Sequence, residues 1–297
     1  MSSTDKDLLT DPERPGQLLP PDRAFYEEGV LLDALDFQAE QSYHRGRLAR
    51  VLTYLFGTGT AAGLEVVWEK PLKPGADANV PDGREERLRL KPGLAIDRLG
   101  RLIEVPRDWC VRLDRWYLSQ EPAKLSSAVR AGQVIVDVFL RFLTDERGRT
   151  PDFAAGPFDA LDASVPSRLR DAFAVDLILR QQENPPLPKS PWPDLSQGSD
   201  RRGALHKALL AAWREGTKSL DDQGRLNPLE EHAGVPDTTS IFLARVSLPV
   251  GATGTDGRPR RDPATTSVTV DNLSRRFVYP AGALAALLGI RLVGDAP

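Results

Sequence analysis

Between residues 33 and 56 the chain steps by four, then three, then four: Phe37, Gln41, His44, Leu48, Val51 and Leu55 fall on one line. That line is polar in the middle and apolar toward its C-terminal half, and the spacing is one face of an α-helix. The pattern predicts a helix from Asp33 to Phe56. Asp33 or Asp36 can cap it, because a carboxylate there accepts the unpaired N–H groups of the first turn. Asp36 and Glu40 precede Arg45, Arg47 and Arg50, the order that the helix dipole favours. Gly57 follows and can take the left-handed conformation that ends a helix.

After the helix the period shortens. Leu64 to Trp68, Arg87 to Leu90, Leu94 to Asp97, Leu102 to Val105 and Trp109 to Leu113 read as short strands, with Arg98-Leu99-Gly100 as a turn. Val134 to Leu143 is the strongest strand, rich in Val, Ile and Phe. Phe173 to Leu179 and Ile241 to Leu248 read as later strands of the same sheet system, and Val268 to Val270 and Phe277 to Tyr279 as short ones. The interval Thr144 to Thr239 is less regular. It is expected to hold a short helix at Pro166 to Ala172, a stretch from Asn184 to Pro193 with five prolines, and a helix near Arg202 to Glu215 stopped by Gly216. A last short helix is expected at Gly282 to Leu288. The fold class expected is α+β: an N-terminal helix packed on mainly antiparallel β-sheets, with a Pro-rich helical insertion. The expected division is a flexible N-terminal arm over 1–25, a helix plus β-hairpin core over 26–143, the insertion over 144–239, and returning strands with a short helix over 240–297.

Composition narrows the function classes. The 297 residues are 40% hydrophobic and 27% charged, the usage of a globular chain with a real core. A net charge of −3 with both signs mixed gives no electrostatic footprint for nucleic acid. The basic knot Arg258-Pro-Arg260-Arg261 reads as a solvated loop. Neither a signal peptide nor a run of about 18 apolar residues is visible, so no membrane insertion is expected and synthesis is placed in the cytoplasm. The lone Cys110 allows no intrachain disulfide or cysteine-based zinc site, and its apolar strand predicts a buried, inert thiol.

Candidate chemistry is sparse. Gly57-Thr58-Gly59-Thr60-Ala61-Ala62-Gly63 looks like a phosphate loop, but it follows a helix and leads into a strand, the reverse of the dinucleotide order. It reads instead as a tight helix-to-strand corner, with Gly57, Gly59, Gly63, Gly93 and Gly100 as structural turn positions. Asp36, Glu40 and His44 share a helical face at metal-ligand spacing, yet His206 and His232 bring no second ligand motif, so a hydrogen-bonded polar seam is the preferred reading. Asp221-Asp222 and Glu230-Glu231 read as solvated turns, not as an acid pair. No catalytic residue, metal or cofactor is assigned.

Read whole, Asp36-Phe37-x-x-Glu40-Gln41-x-Tyr43-His44-x-x-Arg47 leads into Phe56 to Val66, then Lys91-Pro92-Gly93-Leu94-Ala95-Ile96-Asp97 and Gly100-Arg101-Leu102-Ile103-Glu104-Val105-Pro106. This layout resembles a bacterial family associated with phage-tail-like contractile injection systems, and similar layouts occur in phage baseplate and tail-fibre proteins. Ser167 to Phe173 and Ile241 to Val246 resemble later blocks of it. The sequence departs at the glycine corner, where Phe56 replaces a His-Gly approach and Thr60-Ala61-Ala62 a bulkier run. The resemblance implies a non-enzymatic structural or adaptor subunit of such a particle, a baseplate, cap or fibre-linking component with sheath, tube, spike or fibre proteins as partners. It carries over no catalytic residues. Release of the particle from the cell stays open, and a stand-alone carbohydrate- or protein-binding module or an acid-residue hydrolase are the alternatives. The interface residues expected are Phe37, Glu40, Gln41, Tyr43, His44 and Arg47, which offer directional hydrogen bonds and apolar area. The same residues could instead pack the helix on its own sheet.

Overall fold

The structure, a computed structural model, describes residues 23–151, 164–192, 200–218, 226–264 and 266–288. Most of the expected N-terminal arm, together with Asp221-Asp222, lies outside the described residues. The fold is α+β. Helix α1 spans Ala34–Val51 and continues into one widened turn, Leu52–Phe56. Three antiparallel sheets follow, with five α-helices among the described residues.

The helix start answers the choice between Asp33 and Asp36, since both cap. The Asp33 carboxylate accepts from Leu35 N–H at 2.7 Å and Asp36 N–H at 3.1 Å, while Asp36 accepts from Asp33 N–H at 3.0 Å. At the far end the Gly57 N–H reaches both Leu52 O and Thr53 O, at 3.1 and 3.0 Å. The last turn therefore closes over five residues instead of the four expected of a regular helix.

The first sheet joins β1 (Gly59–Gly63), β4 (Gly93–Ile96) and β5 (Leu102–Val105), with β4 in the middle. The glycine run is thus a strand in its own right and not only a corner. A Cβ on Gly63 would lie 2.1 Å from Pro92 O, and one on Gly93 2.2 Å from Ala62 O, so the two chains approach more closely than side chains allow. The second sheet joins β2 (Val66–Glu69), β3 (Arg87–Leu90) and β6 (Trp109–Arg112), with β3 in the middle. Two short helices follow that the sequence pattern did not suggest, α2 (Leu113–Ser119) and α3 (Pro122–Ala128).

The third sheet is ordered β10-β9-β7-β8. Its centre is β7 (Gln133–Pro151), paired with β8 (Ser164–Leu179) and β9 (Ile241–Pro249), and β10 (Thr269–Asp271) flanks β9. Here the expectation of a helix over Pro166–Ala172 fails. Those residues are strand, held in a ladder with β7 from Val136↔Leu179 to Pro151↔Ser164, and cross-strand pairing overrides their local helical preference. The strand expected to end at Leu143 runs on to Pro151. Helix α4 (Arg201–Lys218) passes through Gly216 instead of stopping there, and α5 spans Ala281–Leu287. One apolar cluster unites the sheets: Leu64, Val66, Leu90, Ile103, Val136 and Leu243 all belong to it.

Candidate functional site

Helix α1 divides into two faces. The side with Ala39, Ser42, Gly46, Ala49 and Thr53 is half-buried or buried, and small residues there let the backbone come close. Its anchor is Ala49, whose carbonyl packs against the Gly100 turn. The opposite side is the line read from the sequence. Phe37, Gln41, His44, Leu48, Val51 and Leu55 are all exposed, and the four apolar members show 52%, 59%, 47% and 74% of their surface. Of the residues that could pack the helix on its own sheet, Phe37, Gln41, His44 and Arg47 are exposed, while Glu40 and Tyr43 are half-buried. Steps of four and three make the line a heptad seam, the pattern by which one helix receives another. The widened turn adds Tyr54 and Phe56 beside Leu55 as exposed aromatics.

The expected interface residues gather on this helix. Phe37, Gln41 and His44 lie in the seam itself. Glu40 and Arg47 border it, with Arg47 exposed and Glu40 half-buried, and Tyr43 is half-buried toward the inner side. They also hold one another. Glu40 accepts from the Tyr26 hydroxyl and stands 3.4 Å from His44 Nε2. Tyr43 meets His44 edge-on at 5.5 Å between ring centroids, and Arg47 lies 5.3 Å over the Tyr43 ring. Asp36 is committed to the cap, so the three-residue metal arrangement is not assembled. Among the described residues no group of three His, Cys, Asp or Glu is close enough to share a metal ion.

The buried carboxylates away from the helix are structural. Asp137 is fully buried and accepts from Arg245 Nε at 2.8 Å, Arg245 Nη2 at 2.9 Å and Arg180 Nε at 2.7 Å. Glu86, also fully buried, receives Arg261 at 3.0 and 2.7 Å and Trp68 Nε1 at 2.7 Å. Arg261 had been read as part of a solvated basic loop. It is instead the buried partner of a carboxylate 175 residues away. Asp97 ties its own turn, accepting from Leu99 N–H, Arg101 N–H and Arg101 Nε. Burial pushes its carboxyl above the ordinary value, and Arg101 with those N–H groups pulls it back. Cys110 corrects another expectation: β6 alternates, so Trp109 and Val111 turn inward while Cys110 faces solvent.

A shallow recess is lined by Arg98, Glu231, His232, Ser240 and Arg276 among others. Glu231, expected in a solvated turn, is buried, and so is its neighbour His232. His232 Nε2–H donates to Ser240 O at 2.9 Å and Nδ1 accepts from Leu229 N–H at 3.2 Å, so both ring nitrogens are used. Burial holds the imidazole below its usual pKa. Arg98, lowered to about 10 by burial and the nearby Arg276, donates to Asn227 O and Thr238 O, each at 2.8 Å. A single carboxylate lines the recess, and it pairs with Arg276 at 3.2 Å. Two carboxyls flanking a bond, which an acid-residue hydrolase needs, are not brought together there.

No protein-family model matches the chain, and no curated protein matches it. Among solved structures, a chain of the baseplate complex from the type VI secretion system aligns at 14% identity and a TM-score of 0.28, over 56% of this chain and 51% of that one. At that score the likeness carries no weight for fold or function. The alignment spans about half the length of the matched chain. Among the described residues no helix is long and apolar enough to cross a membrane.

Proposed function

We propose that this chain is a non-enzymatic adaptor subunit of a phage-tail-like contractile injection particle, a baseplate, cap or fibre-linking component that docks a partner helix along the outer seam of α1. The observation that carries the docking is the exposure of all six seam positions while Ala49 and Thr53, on the opposite side, meet the Gly100 turn. The particle is suggested by the residues from Asp36 to Pro106, whose layout resembles the contractile-injection family.

Magnitudes favour an assembly over a free pair. Covering the exposed parts of Phe37, Leu48, Val51 and Leu55 contributes roughly 1–1.5 kcal/mol each, half of what full burial of such side chains yields. The total, about 5 kcal/mol, only matches the lower estimates of the cost of association, which run from about 4 to 15 kcal/mol. One seam alone makes a weak pair. It becomes effective when other contacts hold the chain in place and supply a high local concentration.

The test is affinity purification of the full-length chain from its native cells, followed by mass spectrometry. Sheath, tube, spike or fibre subunits are expected with the wild type and depleted at least tenfold with the Leu48→Glu/Leu55→Glu double variant. Both positions are exposed, so the melting temperature of the variant should match the parent. A chain recovered as a monomer, and absent from purified particles, would defeat the proposal.

A further inference from the structure

A second surface, separate from α1, lies on the β7–β8 hairpin. Phe142 and Phe173 form its last apolar rung against the core. Beyond them residues 145–151 and 167–171 are exposed, a two-stranded ribbon outside the packed body. Side chains alternate along a strand, and residues directly opposite share a face. Asp145, Arg147 and Arg149 therefore lie on one face with Arg170 and Arg168, which stand opposite Asp145 and Arg147. Four arginines share that face with one carboxylate. The other face carries Glu146, Leu169 and Asp171 and no arginine.

The charged side chains on the inner rungs of the arginine-bearing face are ion-paired. Asp137 holds Arg180 and Arg245, and Arg141 pairs with Asp176 at 2.8 Å. On the ribbon the pairing is incomplete. Arg147 reaches Asp145 on its own strand at 2.9 Å, but it faces Arg168 directly across the ladder. Among the described residues no carboxylate pairs with Arg149, Arg168 or Arg170. Like charges directly opposite destabilise an antiparallel pair, so the free chain carries a repulsion that an incoming anion would relieve.

We propose that the arginine face of the ribbon docks on an acidic α-helix of a partner polypeptide. Guanidinium groups take carboxylates in a planar, two-point fit. Arg147 and Arg149 are two strand residues apart, about 7 Å. Carboxylates one turn apart on a helix present a similar repeat of about 5–6 Å. A nucleic acid offers anions too, but Glu146 and Asp171 on the back of the same thin ribbon, and a chain of net charge −3, oppose a polyanion that surrounds its ligand with negative field.

The experiment uses the full chain and two fluorescent probes, a synthetic Ala/Glu helical peptide with glutamates at i and i+4 and a short DNA duplex, read by anisotropy at low and raised salt. The peptide is expected to bind, more weakly as salt rises. Arg168→Glu should weaken it about tenfold while the melting temperature holds or rises, because Arg147 then faces a carboxylate. Arg147→Gln/Arg149→Gln should weaken it as well without adding negative charge. Leu48→Glu/Leu55→Glu should leave peptide binding unchanged, which separates this surface from the helix seam. Peptide affinity equal in wild type and both arginine variants, or no peptide binding at low salt, overturns the proposal. So does a DNA affinity above that of the peptide and lost in the same variants.

Discussion

Gly100→Ala tests how the seam is presented. Gly100 has φ +78°, a left-handed conformation, and its N–H donates to Asp97 O at 3.0 Å. A Cβ built there lies 2.0 Å from Ala49 O, 2.6 Å from the Ala49 carbonyl carbon and 2.5 Å from Thr53 Oγ1. Two costs follow. An alanine held left-handed costs about 1–2 kcal/mol. Overlap with main chain adds about 1–3 kcal/mol, because a helix carbonyl has no rotamer by which to move aside. The combined loss is about 2–5 kcal/mol, a melting shift on the order of 4–10 °C for a chain this large. The strain falls where α1 meets the body, so hydrogen exchange should quicken over residues 39–56 and hold its rate in β7 and β9. Unchanged melting together with unchanged exchange in α1 would refute the Gly100 turn as the anchor. Equal acceleration across β7, β9 and α1 would show instead that the helix and body unfold as one unit.

Two further outcomes concern the body. Asp137→Asn keeps the shape but removes the only carboxylate that Arg245 and buried Arg180 share among their described ion pairs. Leaving buried guanidinium charge uncompensated costs about 3–5 kcal/mol, read as a fall in the urea midpoint; a midpoint within error of the parent would mean that the pair contributes nothing. His232 has a folded pKa below its unfolded value of 6.5, so the unfolded chain binds more protons as the solution acidifies. Its contribution is complete above pH 6.5 and declines as the pH falls below that value. Urea titrations from pH 7.5 to 5 should show this loss in the wild type and a flatter profile in His232→Gln, and equal slopes in the two proteins would contradict it.

The seam was legible because a four-three repeat is a local property: six positions in 19 residues, Phe37 to Leu55, report one helical face. Which way that face points was not legible. It depends on Ala49 meeting Gly100, and nothing near either residue announces the contact. The widened last turn likewise left no sign, since Leu52–Phe56 reads as ordinary helix. The Arg, Leu and Ala of Pro166–Ala172 suit a helix, whereas partners 17 to 29 residues upstream, from Arg149 to Leu143, recruit the segment into the ladder. The same distance effect hid the buried ion pairs. Asp137 finds Arg180 and Arg245 at separations of 43 and 108 residues, so nothing beside either arginine in the sequence marks its partner. Cys110 failed for a different reason. The strand was recognised, but the phase of its alternation was set by β3 on one side, where Cys110 sits opposite Arg89.

The molecule divides its labour between buried and exposed residues. The body is held by contacts that are long in sequence and buried: the shared apolar cluster, the carboxylates Asp137 and Glu86 with their arginines, and the Asp97 turn. Neither the α1 seam nor the outer β7–β8 ribbon contributes to that set. Removing exposed apolar area from the seam, or exchanging charge on the ribbon, should therefore cost the fold little, since surface substitutions away from buried networks fall within about 0.5 kcal/mol. A catalytic site could not be separated from the scaffold in this way, because its groups must be locked by the packing around them. Here the buried polar groups lock the scaffold and the two unburied surfaces stay available, one apolar and helical, the other a charged strand pair. Under the proposed docking, folding and contact fall to different residues, as an adaptor that is stable before its neighbours arrive requires.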